Sequence, residues 1–263
     1  MWAHSHVIDA ARASATISYL VNSLSTYGTE IRLFGKTNPE VSQRYDTLIT
    51  PKGWAFSIWA LIFVGEAMGL TYIWTSSIDK NEYNNILIPF TYACILQSVW
   101  CVFFSKENML LSAIALSGIA YCLKLCSDEI FAITVSESSS TIPYIAQALI
   151  SYPIRIHFAW TTAAMLINWN MLLVSLQIPG LEVLPALTSV WMAAGIGAFR
   201  AFFLGDAIFP AVIAWALAAM SGKIRSSPPE HFAKDTIFLE VRKYFSGVYR
   251  SKSCNIRNKN IKY

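Results

Sequence analysis

The sequence predicts an all-α fold: a polytopic helical bundle set in a membrane. Three observations predict it. Only 14% of the 263 residues are charged and 55% are hydrophobic, against about 25% charged in a soluble domain. Several apolar runs reach the ~20 residues needed to cross a bilayer. Nine Trp and twelve Tyr suit interfacial belts and aromatic interiors. The five cysteines, Cys94, Cys101, Cys122, Cys126 and Cys254, are odd in number and scattered, which gives neither a disulfide framework nor a zinc spacing. His4 and His6 are too little for a metal site. No phosphate-binding glycine loop, nucleophile elbow or nucleic-acid module is present, so the sequence offers no catalytic constellation and no nucleic-acid partner.

The first helix is expected over Val7–Leu24, where Asp9, Arg12 and several Ser and Thr dilute the hydrophobicity. Composition leaves open whether it spans, and it has no compact apolar core after a basic start as a signal peptide would. A long polar connection follows over Ser25–Gly53, a length that is either functional or disordered. The second helix runs from Thr50 to Trp74, opened by Pro51 and Gly53, since Pro is tolerated in a first turn. Phe56, Trp59, Phe63 and Glu66 recur at spacings of 3, 4 and 3 and so share one helical face. Glu66 lies roughly 18 Å along from Trp54 at ~1.5 Å per residue, near mid-membrane. Aromatics alone at this spacing suit ordinary helix packing as well as a cavity. The carboxylate favours a cavity or a partner, because ionisable groups are costly at that depth. Arg155 or Arg200 are candidate partners; otherwise burial favours the protonated acid.

The third helix is expected over Ile86–Phe104, with Gln97, Trp100 and Phe104 on one face. The short Ser105–Glu107 turn makes the fourth helix, Asn108–Leu125, its antiparallel neighbour. Ser127–Ser151 reads as irregular. Pro153 introduces a fifth helix, Ile154–Leu176, whose Trp160, Ala164 and Asn168 form a stripe at spacings of 4 and 4. Asn168 suits an interhelical hydrogen bond and a ligand contact equally well. Helices six (Val183–Phe203) and seven (Ala207–Met220) follow, with Arg200 expected to snorkel to the interface. The tail from Lys223 carries ten Lys and Arg against three acids. Ser227–Glu230 reads as a capping box, followed by an amphipathic surface helix. With seven spans, the face holding the first loop, the 105–107 turn and the tail has fifteen of the twenty Lys and Arg. The positive-inside rule places that face in the cytosol or its organellar equivalent.

The stretch Thr50-Pro51-Lys52-Gly53-Trp54-Ala55-Phe56-Ser57-Ile58-Trp59 resembles the start of the second helix in the TspO/MBR family (tryptophan-rich sensory proteins, translocator protein). It is closest to the longer members. Ser57 stands where short members have Gly, and Phe63 where Tyr is usual. The run LQSVWCVFF, from Leu96, is similar to the family's third-helix pattern, with Gln97 in place of Asn. Trp160-xxx-Ala164-xxx-Asn168 matches its fifth-helix pattern. The resemblance implies a TspO-like five-helix core over 1–177 with residues 25–53 as a lid, two additional C-terminal transmembrane helices over 178–222, and a basic tail over 223–263.

The resemblance further implies a receptor or carrier for a flat hydrophobic ligand: a tetrapyrrole such as protoporphyrin or heme, or a sterol or other lipid. No cofactor is required. Trp54, Phe56, Trp59, Trp100 and Trp160 would stack on such a ligand, Gln97 and Asn168 would orient its polar edge, and Phe63, Glu66 and Ala164 would complete the site. Partners are then membrane lipids and a hydrophobic small molecule, with a homodimer or a larger complex as further options. Gly65-x-x-x-Gly69 would let another helix approach closely, within one chain or between two. Two other readings stand beside this one: a non-catalytic structural subunit of a membrane complex, and a proton-coupled transporter using Glu66. The second lacks the internal repeat and broken helices that transporters show.

Overall fold

Eight α-helices account for most of the residues described by the computed structural model, which are 2–76, 83–136, 145, 147–177 and 182–226. They are α1 (Trp2–Glu30), α2 (Asn38–Arg44), α3 (Ile58–Thr75), α4 (Asn84–Ser105), α5 (Met109–Ser136), α6 (Tyr152–Ser175), α7 (Val183–Leu204) and α8 (Ile208–Ser226). A 3-10 turn, Gly53–Ser57, leads into α3, and a π-helical turn, Gln147–Ser151, leads into α6. No strand occurs among the described residues.

Two helices outrun their apolar segments. α1 continues to Glu30, so residues 25–30 are helix rather than loop. Its hydroxyls are absorbed locally: those of Ser14, Thr16, Ser18, Ser23 and Thr29 each donate to a carbonyl three or four residues back. α5 passes through Asp128 and Glu129 to Ser136, replacing the irregular start expected after Leu125. Lys124 pairs with Asp128 one turn on, and Asn85 of α4 donates to Glu129.

Helices α1, α4, α5, α6 and α3 form a closed ring in that order, each touching the next and α3 returning to α1. α6 is the most enclosed, with fourteen of its 24 residues buried. α7 and α8 lie outside the ring, both against α6, and α8 also meets the 3-10 turn. Among the described residues, four segments are long and apolar enough to cross a membrane: Gly53–Thr75, Asn84–Ser105, Met109–Ile133 and Val183–Leu204. α8 contributes a shorter apolar segment, Ile208–Ile224. α6 carries buried His157, Thr161, Thr162, Asn168 and Asn170, which lower its hydropathy because they point into the bundle instead of toward lipid. The expected amphipathic tail helix lies outside the described residues.

Gly65 and Gly69 serve packing within this one chain. A Cβ on Gly65 would sit 2.6 Å from the Pro153 ring, and one on Gly69 would sit 2.6 Å from the Leu149 carbonyl oxygen. The Pro153 ring has some give; the Leu149 backbone has little. Gly69→Ala is therefore expected to destabilise the protein by about 1–3 kcal/mol through overpacking, measurable as a lowered melting temperature in detergent. An unchanged melting point would mean that the turn before α6 yields freely.

Arg200 does not snorkel. It is buried, with Nε donating to Asp206 Oδ2 at 2.9 Å and Nη2 to Ser127 Oγ at 2.7 Å. The rings of Phe158 and Phe209 flank the guanidinium at 5.2 and 5.1 Å. Asp206 also caps α8, accepting from the Ile208 and Phe209 amides, and Arg155 approaches it at 4.0 Å. Both arginines are thus committed to Asp206, so neither is the partner of Glu66.

Candidate functional site

The connection after α1 folds across one end of the ring. Gly35 makes this close, since a Cβ there would stand 2.6 Å from the Ser105 carbonyl oxygen, which instead accepts from the Lys36 amide. A capping box starts α2: Thr37 Oγ1 accepts from the Glu40 amide and Glu40 accepts from the Thr37 amide. That last bond holds the Glu40 carboxyl below the usual carboxylate range. Lys36 and Arg44 both pair with Glu107 of the α4–α5 turn, at 2.8 and 3.2 Å. On the other side Asp46 pairs with Lys223 of α8, the Lys52 amide donates to the Ala219 carbonyl, and Trp215 Nε1 donates to the Ala55 carbonyl at 3.2 Å.

Beneath this cover lies a cavity with about 670 Å³ of empty volume. The cover contributes Asn38, Ser42, Thr50 and Pro51. The 3-10 turn and α3 give Phe56 and Trp59, and α4 gives Gln97, Trp100 and Phe104. α6 supplies Trp160, Thr161, Ala164, Ile167, Asn168 and Met171, and α5 supplies Leu116. Phe56 and Trp59 each meet Trp160 edge-on, with centroids 5.7 and 6.4 Å apart, and Trp100 stacks on Phe104 at 4.8 Å. Such contacts fix ring positions as well as filling space.

Seven of the ten residues singled out from sequence line this cavity: Phe56, Trp59, Gln97, Trp100, Trp160, Ala164 and Asn168. Three do not. Trp54 sits in the 3-10 turn, whose ~3 residues per turn break the α-helical phase. Its ring meets Trp215 edge-on at 4.6 Å, outside the cavity. Phe63 lies behind Trp59, stacked on it at 5.7 Å and facing Tyr19. Glu66 is one turn deeper, lining a smaller cavity of about 310 Å³ with Gly69, Leu70, Phe90 and Pro153 among others.

Glu66 has a partner that sequence reasoning missed. His157 of α6 is fully buried, with Nδ1 2.6 Å from Glu66 Oε1 and Nε2 2.9 Å from Gln97 Oε1. The three side chains form one hydrogen-bonded chain across α3, α6 and α4. Gln97 lines the upper cavity and Glu66 the lower one. The available signal was spacing: His157 precedes Trp160 by three residues and Ala164 by seven, on the same stripe.

Asn168 acts on two sides, as both readings of it allowed. Its Oδ1 accepts from Trp100 Nε1 at 3.1 Å, joining α6 to α4, and its Nδ2 has no partner. The buried polar atoms left unpaired around the cavity are mostly donors. They are the donors Gln97 Nε2, Trp160 Nε1 and Asn168 Nδ2, the Thr161 hydroxyl, which can donate or accept, and, among the described residues, one group that only accepts, Asn38 Oδ1 of the cover. Unpaired buried donors are costly, and a ligand with acceptor groups relieves that cost.

A family model described as TSPO-like protein matches residues 12–233. No curated protein and no solved structure matches the chain.

Proposed function

The chain belongs to the TSPO-like protein family and is an integral membrane protein, and from that premise we propose that it is a receptor or carrier for a flat hydrophobic ligand with acceptor groups at one edge. The observation that carries this reading is the cavity itself. Its walls are aromatic, and its unpaired donors, Gln97 Nε2, Trp160 Nε1 and Asn168 Nδ2, come from two facing helices. A tetrapyrrole with carboxylate side chains suits both features, as does a sterol or other lipid with a carbonyl end. The positive-inside rule would put the cover on the cytosolic side, so the cavity would load from that side or from the adjoining leaflet. A purely structural subunit would be expected to fill such a space with side chains.

Protoporphyrin or heme added to the purified protein is expected to quench tryptophan fluorescence saturably. Trp160→Ala should weaken binding by ~1–3 kcal/mol, by analogy with the loss of an aromatic stacking platform. Equal quenching of wild type and variant would indicate partitioning into detergent and would count against the site.

A further inference from the structure

None of the residues lining the aromatic cavity is charged among those described. Its neutral donors can hold a carboxylate by hydrogen bonds, but a carboxylate taken from water into such a site still lacks a counter-charge. The ionisable groups that reach the cavity do so through Gln97: they are His157 and, behind it, Glu66. Tyr19 of α1, Cys94 of α4 and Cys126 of α5 also face this pair. Among the described residues no Lys or Arg joins them, since Arg155 and Arg200 are held at Asp206 and Arg12 of α1 lies over Trp74.

We propose that the Glu66–His157 pair is a proton-uptake site coupled to the cavity: docking of a ligand carboxylate against Gln97 draws one proton from solvent onto the pair. The proposal rests on ligand binding in the aromatic cavity.

Counting protons on the observed heavy atoms supports uptake rather than release. With one proton shared, the pair is either neutral imidazole beside carboxylic acid or imidazolium beside carboxylate. In both forms Nε2–H donates to Gln97 Oε1, and the Gln97 NH₂, on a residue that borders the cavity, stays without a partner. A second proton gives imidazolium beside carboxylic acid: Nδ1–H donates to the Glu66 carbonyl oxygen, Nε2–H still donates to Gln97, and nothing need move. Glu66 Oε2, which has no partner, takes the added proton, and Glu66 also borders the lower cavity. Removing the shared proton would instead put the imidazole's one remaining N–H on Nδ1 against the carboxylate, leave Nε2 as an acceptor and force the Gln97 amide to turn over. The one-proton pair has no net charge, and a second proton gives it the single positive charge that balances a ligand carboxylate. No bond other than those to the proton changes, and the proton comes from water or buffer.

Calorimetric titration of the detergent-solubilised full chain tests this with two probes, protoporphyrin as the dicarboxylate and its dimethyl ester. Near pH 7, in two buffers of different ionisation enthalpy, the dicarboxylate should show a binding enthalpy that shifts by about one proton's buffer heat, and the ester none. The apparent Kd of the dicarboxylate should rise by up to about tenfold per pH unit between pH 6 and 8, the slope that linkage gives for one proton. His157→Gln should abolish the buffer dependence. Infrared difference spectra of the wild type with ¹³C-labelled ligand carboxyls provide a readout that does not rely on that variant folding, and the ligand band should remain that of a carboxylate. Dicarboxylate binding without buffer dependence overturns the proposal, as does a ligand band that becomes that of an acid. Binding of the ester alone overturns it while leaving the binding function standing; failure of both probes to bind removes both.

Discussion

Asp206→Ala is expected to destabilise the protein by about 3–5 kcal/mol, the range for removing one partner of a buried ion pair. Asp206 is 2% exposed and Arg200 6%, so the charge left behind cannot reach water without moving the α7–α8 turn. The same substitution strips the start of α8, because Oδ1 accepts from the Ile208 and Phe209 amides. It also leaves Arg155 facing Arg200 without the intervening carboxylate. Asp206→Asn separates these roles: its amide oxygen can keep the cap, whose loss is worth about 0.5–2 kcal/mol, while the ionic partner is gone. Thermal unfolding followed by tryptophan fluorescence should rank wild type above Asn and Asn above Ala. A wild-type-like Asp206→Ala would show that Arg200 finds water or lipid headgroups instead.

The second large effect is at Glu66, and it depends on what replaces it. Glu66→Leu leaves His157 Nδ1 unpaired in a dry interior, a cost of about 1–3 kcal/mol, and frees the ring that holds Gln97. Stability and ligand affinity should therefore fall together. Glu66→Gln keeps a donor for Nδ1 and leaves Nε2–H on Gln97, so it should lose far less. Thermal-shift assays on both variants from pH 5 to 8, with ligand titration alongside, distinguish the outcomes. If the pair is held as imidazolium and carboxylate, Glu66→Gln becomes the damaging change, because it strands a buried cation. Wild-type behaviour in both variants would remove Glu66 from the chain altogether.

Three helices of the ring, α3, α4 and α5, were legible because bilayer-length apolar runs announce themselves, and the stripes on α4 and α6 because inward-facing aromatics keep helical phase. The ends of α1 and α5 were not. Ser and Thr look like loop residues in a list of letters, yet in α1 they donate back into their own helix. Asp128 and Glu129 look like a boundary, yet α5 carries them onward, one paired along the helix and one across to α4. Trp54 was expected to stack on the ligand, and the 3-10 turn instead sets its ring against Trp215 of α8. His157 was overlooked for a different reason: its partners Glu66 and Gln97 are 91 and 60 residues away, so its significance exists only once three helices meet. Arg155 and Arg200 were candidates for Glu66 on charge alone, and their real partner is Asp206, beyond the five-helix ring.

The fastening of the cover to α8 has a consequence for the order in which the protein is made. Ala55 and Trp215 are separated by 160 positions, and Asp46 and Lys223 by 177. A chain emerging from the ribosome N-terminus first therefore completes every helix of the ring before the residues that secure the cover's far side exist. Before α8 exists, the described contacts leave the cover fastened to the end of α4 and the turn after it, by Lys36 and Arg44 on Glu107 and by the Lys36 amide on the Ser105 carbonyl. Chains released before α8 is translated would remain at that stage, with the cover unsecured on its α8 side.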